Sequence, residues 1–166
     1  MNTKLNISIV LYNPIWQQVE DLTLELLQCQ YVHHVYWVDN SPNQRENIPI
    51  SSQKLHYIFN NHNMGYGAAH NIAIRESIYD DIPFHLVINP DIIVAANDLS
   101  TLVQFVLSHA EVGLLVPKVV YPNGQLQYLC KLLPTPLDVF GRRFLPKKWM
   151  EKRNQRYELR QSGYNR

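Results

Sequence analysis

The chain has 166 residues, about 46% of them apolar, which suits a globular domain of ordinary size able to bury roughly 70% of its unfolded surface without staples. No apolar run approaches the ~18 residues of a membrane span. The net charge of +1 conceals an asymmetry: residues 1–141 hold 6 Lys/Arg against 12 Asp/Glu, whereas residues 142–166 hold 9 against 2, so the C-terminal segment is expected to meet something anionic.

The β-branched run "NISIVLYN" predicts a buried strand over about Ile7 to Leu11. Asn13-Pro14 then reads as N-cap and first residue of a helix, with Ile15, Val19, Leu22 and Leu26 at helical spacing. "VHHVYWV" predicts a second strand, about Val35 to Val38, and "DNSPNQRENIP" is turn chemistry throughout. "KLHYIFN" is a third strand. The glycine-bearing loop that follows turns helical near Gly67. "FHLVIN" is a fourth strand, and "NDLSTLVQFVLSHA" a capped helix with Leu99, Leu102, Val103 and Val106 inward. "VGLLVPKVVYPNGQLQYL" predicts a strand and then a hairpin turning at Pro122-Asn123-Gly124.

Strands alternating with helices predict an α/β domain with a mainly parallel sheet. Such sheets bind ligands outside the carboxyl ends of their strands. The polar residues at those ends are therefore the candidates: Tyr12-Asn13, Asp39-Asn40, Asn60-Asn61 and Asn89-Pro90-Asp91.

Each candidate has a plainer alternative. Proline keeps Asn89 extended and fixes its own φ, which would set Asp91 at a defined angle to hold a divalent cation; the alternative is a strand-ending Asx turn. Asp39 could accept the imide N–H of a pyrimidine, or simply open a turn before Ser41-Pro42. Gly65 and Gly67 before a helix permit close approach of a phosphate, or a tight turn and nothing more. The loop is neither a dinucleotide fingerprint nor a Walker loop. The seven histidines form no His-x-x-x-His pair, and Cys29 and Cys130 stand in no metal pattern. Two thiols without a signal peptide point to a reducing cytoplasm.

In order, "SIVLYN", "VDNS", "NMGYGAAHN" and "NPDI" resemble the motifs of family 2 glycosyltransferases, over residues 5 to about 145. "YPNGQLQYLCKLLPTPLDVFGRRFLP" looks like their bacterial rhamnosyltransferase-like branch. The resemblance implies a GT-A fold, Rossmann-like, and an inverting, metal-dependent transfer of sugar. The donor would be dTDP-rhamnose or a UDP-sugar. The acceptor would be a saccharide or lipid-linked saccharide of a surface polysaccharide. By the same resemblance Leu11, Tyr12 and Asn13 would contact base and ribose, and Asp39, with Asn40, the pyrimidine. Asn63, Gly65, Gly67 and Asn71 would line the donor site, and Asn89 with Asp91 would hold Mg²⁺ or Mn²⁺ on the diphosphate. His70 stands where the family commonly has an arginine, so a titrating group is expected near the diphosphate. The family's catalytic carboxylate comes later in the chain. Asp138, Glu151 and Glu158 do not lie in a segment resembling it, so the base is expected outside this sequence, with the acceptor half incomplete.

The expected organisation is a donor-binding domain over 1–130 and the start of an acceptor-side region over 131–166. The latter would carry the basic segment from Arg142 to Arg166, expected at an anionic membrane surface on the cytoplasmic side. Nucleic acid is not expected as a partner; a homo-oligomer is compatible with the sequence. The alternative function is a non-catalytic nucleotide-binding or assembly module that keeps the fold without the base.

Overall fold

A computed structural model of the chain describes residues 4–136 and 147–160. The chain divides into two compact units, Met1–Glu111 and Val112–Arg166. The division falls after Glu111, inside the span 1–130 expected for the donor-binding domain.

The first unit is built on four strands: β1 (Leu5–Leu11), β2 (Val32–Asp39), β3 (Leu55–Phe59) and β4 (Phe84–Ile88). They pair in the order β3-β2-β1-β4, all parallel; helices connect β1 to β2 and β3 to β4, whereas β2 runs to β3 through a long connection without a helix. The helices are α1 (Trp16–Leu27), α2 (Tyr66–Tyr79) and α3 (Ala96–Ser108). The chain steps outward from β1 to β2 to β3 and then returns to place β4 on the other side of β1. The order therefore reverses between β1 and β4, which opens a crevice at their carboxyl ends.

β1 is buried along all seven residues because both faces of the sheet are covered. Side chains alternate between the faces. Leu5, Ile7, Ile9 and Leu11 join Val19, Leu22 and Leu26 of α1 and Leu99 and Val103 of α3 in one core cluster. On the α2 face Val10 packs with Tyr36, Val38, Ala69 and Ala73. Trp37, fully buried, donates its indole N–H to Thr23 Oγ1 at 2.8 Å, so its burial leaves no orphan donor.

Several local expectations change. α1 begins at Trp16, not at Pro14; its N-cap is Ile15, 65% exposed and without a side-chain cap. Asn13 instead takes a left-handed φ of +46°, a conformation asparagine tolerates, and the chain turns there before the helix starts. α3 has Ala95 at its N-cap and no cap from its own side chains. Glu25 of α1 supplies it, accepting the Ala96 N–H at Oε1 over 2.9 Å. Leu99 and Val103 are buried, while Leu102 and Val106 are half-buried.

Within the second unit, the strand expected from Val112 is absent among the described residues, and the hairpin is reduced to one antiparallel bridge, Val120 to Leu126. The turn itself stands where expected, with Gly124 at φ +81°. A fourth helix, α4, runs Lys147–Tyr157. Its Tyr157 carbonyl accepts the Leu132 N–H at 2.9 Å. Residues 137–146 and 161–166, including Asp138 and the two ends of the basic segment, lie outside the described residues. Among the described residues no helix is long and apolar enough to cross a membrane.

Candidate ligand-binding site

The carboxyl ends of the strands are joined into one polar ledge by side chains. The Asn13 N–H donates to Ser41 Oγ at 2.8 Å, and the Ser41 N–H donates to Asp39 Oδ1 at 2.8 Å. The Tyr57 hydroxyl donates to Asp39 Oδ2 at 2.7 Å. Asn60 Nδ2 donates to Asn40 Oδ1 at 2.8 Å, and Asn40 Nδ2 reaches the Gly65 carbonyl at 3.4 Å. The Tyr66 hydroxyl donates to Asn89 Oδ1 at 2.8 Å. The loops after all four strands are thus tied to one another or to the start of α2.

Within that ledge the expected residues fall into two groups. Tyr12, Asn13, Asn63, Gly65, Gly67, Asn71, Asn89 and Asp91 are exposed. Leu11, Asp39 and Asn40 are buried, so the first group is open to solvent and the second lies beneath it. Leu11 belongs to the core and offers no side chain to a base. Asp39 is fully buried with both oxygens engaged, and in this arrangement it presents no open acceptor to a pyrimidine. Its carboxylate instead fixes Ser41, which fixes Asn13. Tyr57, held between the Asp39 carboxylate and the Arg45 N–H at 3.1 Å, has its phenol pushed up to about 12, first by burial.

Asn89-Pro90-Asp91 resolves into a tight turn closed by the Ile92 N–H on the Asn89 carbonyl at 3.4 Å. Proline at the second position suits such a turn, and the third position sets Asp91 outward. The chain does not resume as a strand: Ile92 and Val94 tuck against the core, and Ile93 between them is 97% exposed. Asp91 lines a groove of about 570 Å³ between α1 and the 90–95 segment.

The start of α2 meets the end of β4 through the Tyr66–Asn89 hydrogen bond. Gly65 takes φ +88°, a conformation that favours glycine, and no side chain caps the helix. A Cβ added at Gly67 would meet nothing within 4 Å, so the protein's own packing does not demand glycine there. Asn71 lies one turn further along the same line of the helix as Gly67. The Tyr66 phenol is raised above its ordinary value by burial and then by the Asp91 carboxylate.

His70 departs from expectation. It points under α2 rather than toward the ledge and is 97% buried against the sheet, 3% of it exposed. Its Nδ1 lies 2.7 Å from Ser8 Oγ, which lies 2.8 Å from His85 Nε2; His85 Nδ1 lies 2.7 Å from Ser77 Oγ. Ser77 gives its proton to the Ala73 carbonyl at 3.1 Å and accepts from Asn6 Nδ2 at 3.0 Å. The His85 Nδ1–H then donates to Ser77, the Ser8 hydroxyl to His85 Nε2, and the His70 Nδ1–H to Ser8. A lone pair is left on His70 Nε2, buried without a partner. Burial holds His70 down to about 4, so it is a neutral core residue and not a titrating cation beside a diphosphate.

Asn60 was expected at a strand end and is there, bonded to Asn40; sequence reasoning missed Ser41, Tyr57, Tyr66 and Arg45. Arg45 pins the long β2–β3 connection: it lies 4.2 Å over the Trp16 ring and pairs with Glu20 at 2.6 Å. Tyr57 carried one usable signal, because it sits two residues before the position that pairs with Asp39 in the parallel register.

Among the described residues no group of three or more His, Cys, Asp or Glu is arranged to hold a metal. Exposed Asp91 could serve the other kind of divalent-cation site, in which one or two protein oxygens are completed by phosphate oxygens and water. No family model matches the chain, and no curated protein matches it.

Proposed function

We propose that the ledge binds a nucleoside diphosphate sugar and that the chain is a glycosyltransferase of the GT-A kind. A pyrimidine nucleotide sugar, dTDP-rhamnose or a UDP-sugar, is the donor, and a saccharide or lipid-linked saccharide the acceptor. The observation that carries this reading is the meeting of Asp91, Asn89 and the uncapped amino end of α2 at the β1/β4 crevice, linked by the Tyr66–Asn89 hydrogen bond.

The first-turn N–H groups of α2 have no partner within the helix, and the helix dipole adds about half a positive charge there. A diphosphate supplies the matching anion. Gly65 and Gly67 let the backbone come close to it. Tyr66 holds Asn89 in place, so the ledge is set before the ligand arrives. Asp91 would hold a divalent cation against the diphosphate, and that cation, when bound, offsets charge on the departing group. Base and ribose lie over exposed Tyr12 and Asn13, whose position Asp39 fixes through Ser41. An acceptor hydroxyl would attack the anomeric carbon from the face opposite the departing diphosphate, inverting the anomeric centre. Its proton would pass to a carboxylate base that is not among these residues.

Calorimetry with UDP and dTDP sugars, with and without Mn²⁺, tests the reading. Binding should be stronger with Mn²⁺. Asp91→Asn should lose the Mn²⁺-dependent part while its circular dichroism stays that of the parent. Equal affinity of mutant and parent in Mn²⁺ would overturn the assignment.

A further inference from the structure

The described cations gather on α4. Five of its eleven residues are basic, Lys147, Lys148, Lys152, Arg153 and Arg156, against one acid, Glu151. Lys148, Lys152 and Arg156 recur every fourth residue, so the backbone sets them along one line of the helix. Lys152, Arg153 and Arg156 are exposed, whereas Asn154, Gln155 and Tyr157 are half-buried. The other side is held by the 128–135 segment of the same unit. There Leu132 donates to the Tyr157 carbonyl at 2.9 Å, Arg153 Nη2 donates to Thr135 Oγ1 at 3.2 Å, and Arg160 lies 4.9 Å over the Tyr128 ring. Arg153 thereby helps to anchor the helix, while Lys152 and Arg156 are turned to solvent.

We propose that this face of α4 adsorbs to an anionic phospholipid bilayer. A plane of negative charge engages a straight row of cations together, without any register to satisfy. Single-stranded nucleic acid sites interleave cations with stacking aromatics. The described exposed residues of α4 from Glu151 onward include no aromatic, which favours the lipid surface. The contact is local: the whole chain carries only +1, and residues 1–141 hold twice as many acids as cations. The proposal does not depend on the sugar-transfer reading, since adsorption needs no nucleotide.

The experiment is co-sedimentation of the full chain with vesicles of phosphatidylcholine alone, and of phosphatidylcholine with a third of phosphatidylglycerol. Each is run at about 0.05 M and about 0.5 M salt, where screening differs strongly. Binding is expected only to the anionic vesicles and only at low salt. Each cation near such a surface changes affinity about 5-fold, so Lys152→Gln with Arg156→Gln should weaken partition about 25-fold. Lys152→Arg with Arg156→Lys keeps the charge and should keep the binding, which separates charge from helix integrity. Equal partition to both vesicle types would overturn the proposal. So would undiminished binding by the Gln double variant, or tighter capture of a single-stranded oligonucleotide than of the anionic vesicles at the same salt.

Discussion

Tyr57 and Asp39, on neighbouring parallel strands, share a 2.7 Å hydrogen bond beneath the strand-end ledge. The carboxylate is fully buried, and its other oxygen takes the Ser41 N–H. Tyr57→Phe removes one donor and leaves an acceptor unpaired in the interior. The expected cost is about 1–3 kcal/mol, read from urea unfolding. A variant as stable as the parent would show that water replaces the phenol there.

Acid should destabilise the fold. His70 and His85 are held down to about 4 by burial, His85 also by His70. His34 is lowered to about 4 as well, by burial and by His33 and His56. The folded values lie below the ordinary 6.5, so the unfolded chain takes up protons first. Stability is full above about 6.5 and falls as pH drops from there toward about 4. The urea midpoint should decline across that window, and His70→Gln should make the decline shallower. A midpoint that is flat from pH ~7 to ~5 contradicts the assignment.

Gly67 separates packing from ligand binding. An alanine Cβ there meets open space, and alanine favours helix over glycine by up to about 1 kcal/mol. Gly67→Ala is expected to unfold at an equal or higher urea concentration. If a diphosphate sits against the first turn of α2, the same variant binds UDP several-fold more weakly. Unchanged UDP affinity would move the phosphates elsewhere.

Glu25 caps a helix that is not its own. Glu25→Ala should remove the acceptor for the Ala96 N–H and cost about 1 kcal/mol, the usual scale for losing an N-cap. Glu25→Gln keeps a carbonyl oxygen and should recover part of that loss. Equal stability of all three proteins in urea would show that α3 needs no cap.

What the sequence by itself determined was local. β1 was legible because a strand covered on both faces is a continuous apolar run, and β2 through β4 because β-branched and aromatic residues cluster in them, with turn residues bounding each run. The parallel order of elements and the polar strand ends followed from the same pattern, and Asn89, Asp91, Gly65 and Gly67 were placed on the ledge by it. Only the tertiary structure decided which way the polar side chains turned. Asp39 turns inward because parallel pairing sets Tyr57 diagonally beside it, and His70 because α2 lies over Ser8 and His85. Asn13 and Pro14 read as a helix start, yet Asn13 is drawn into a left-handed turn whose N–H meets Ser41, 28 residues away. Spacing along the chain encodes periodicity; it does not encode which partner, many residues distant, will be within hydrogen-bond reach when the strands are in register.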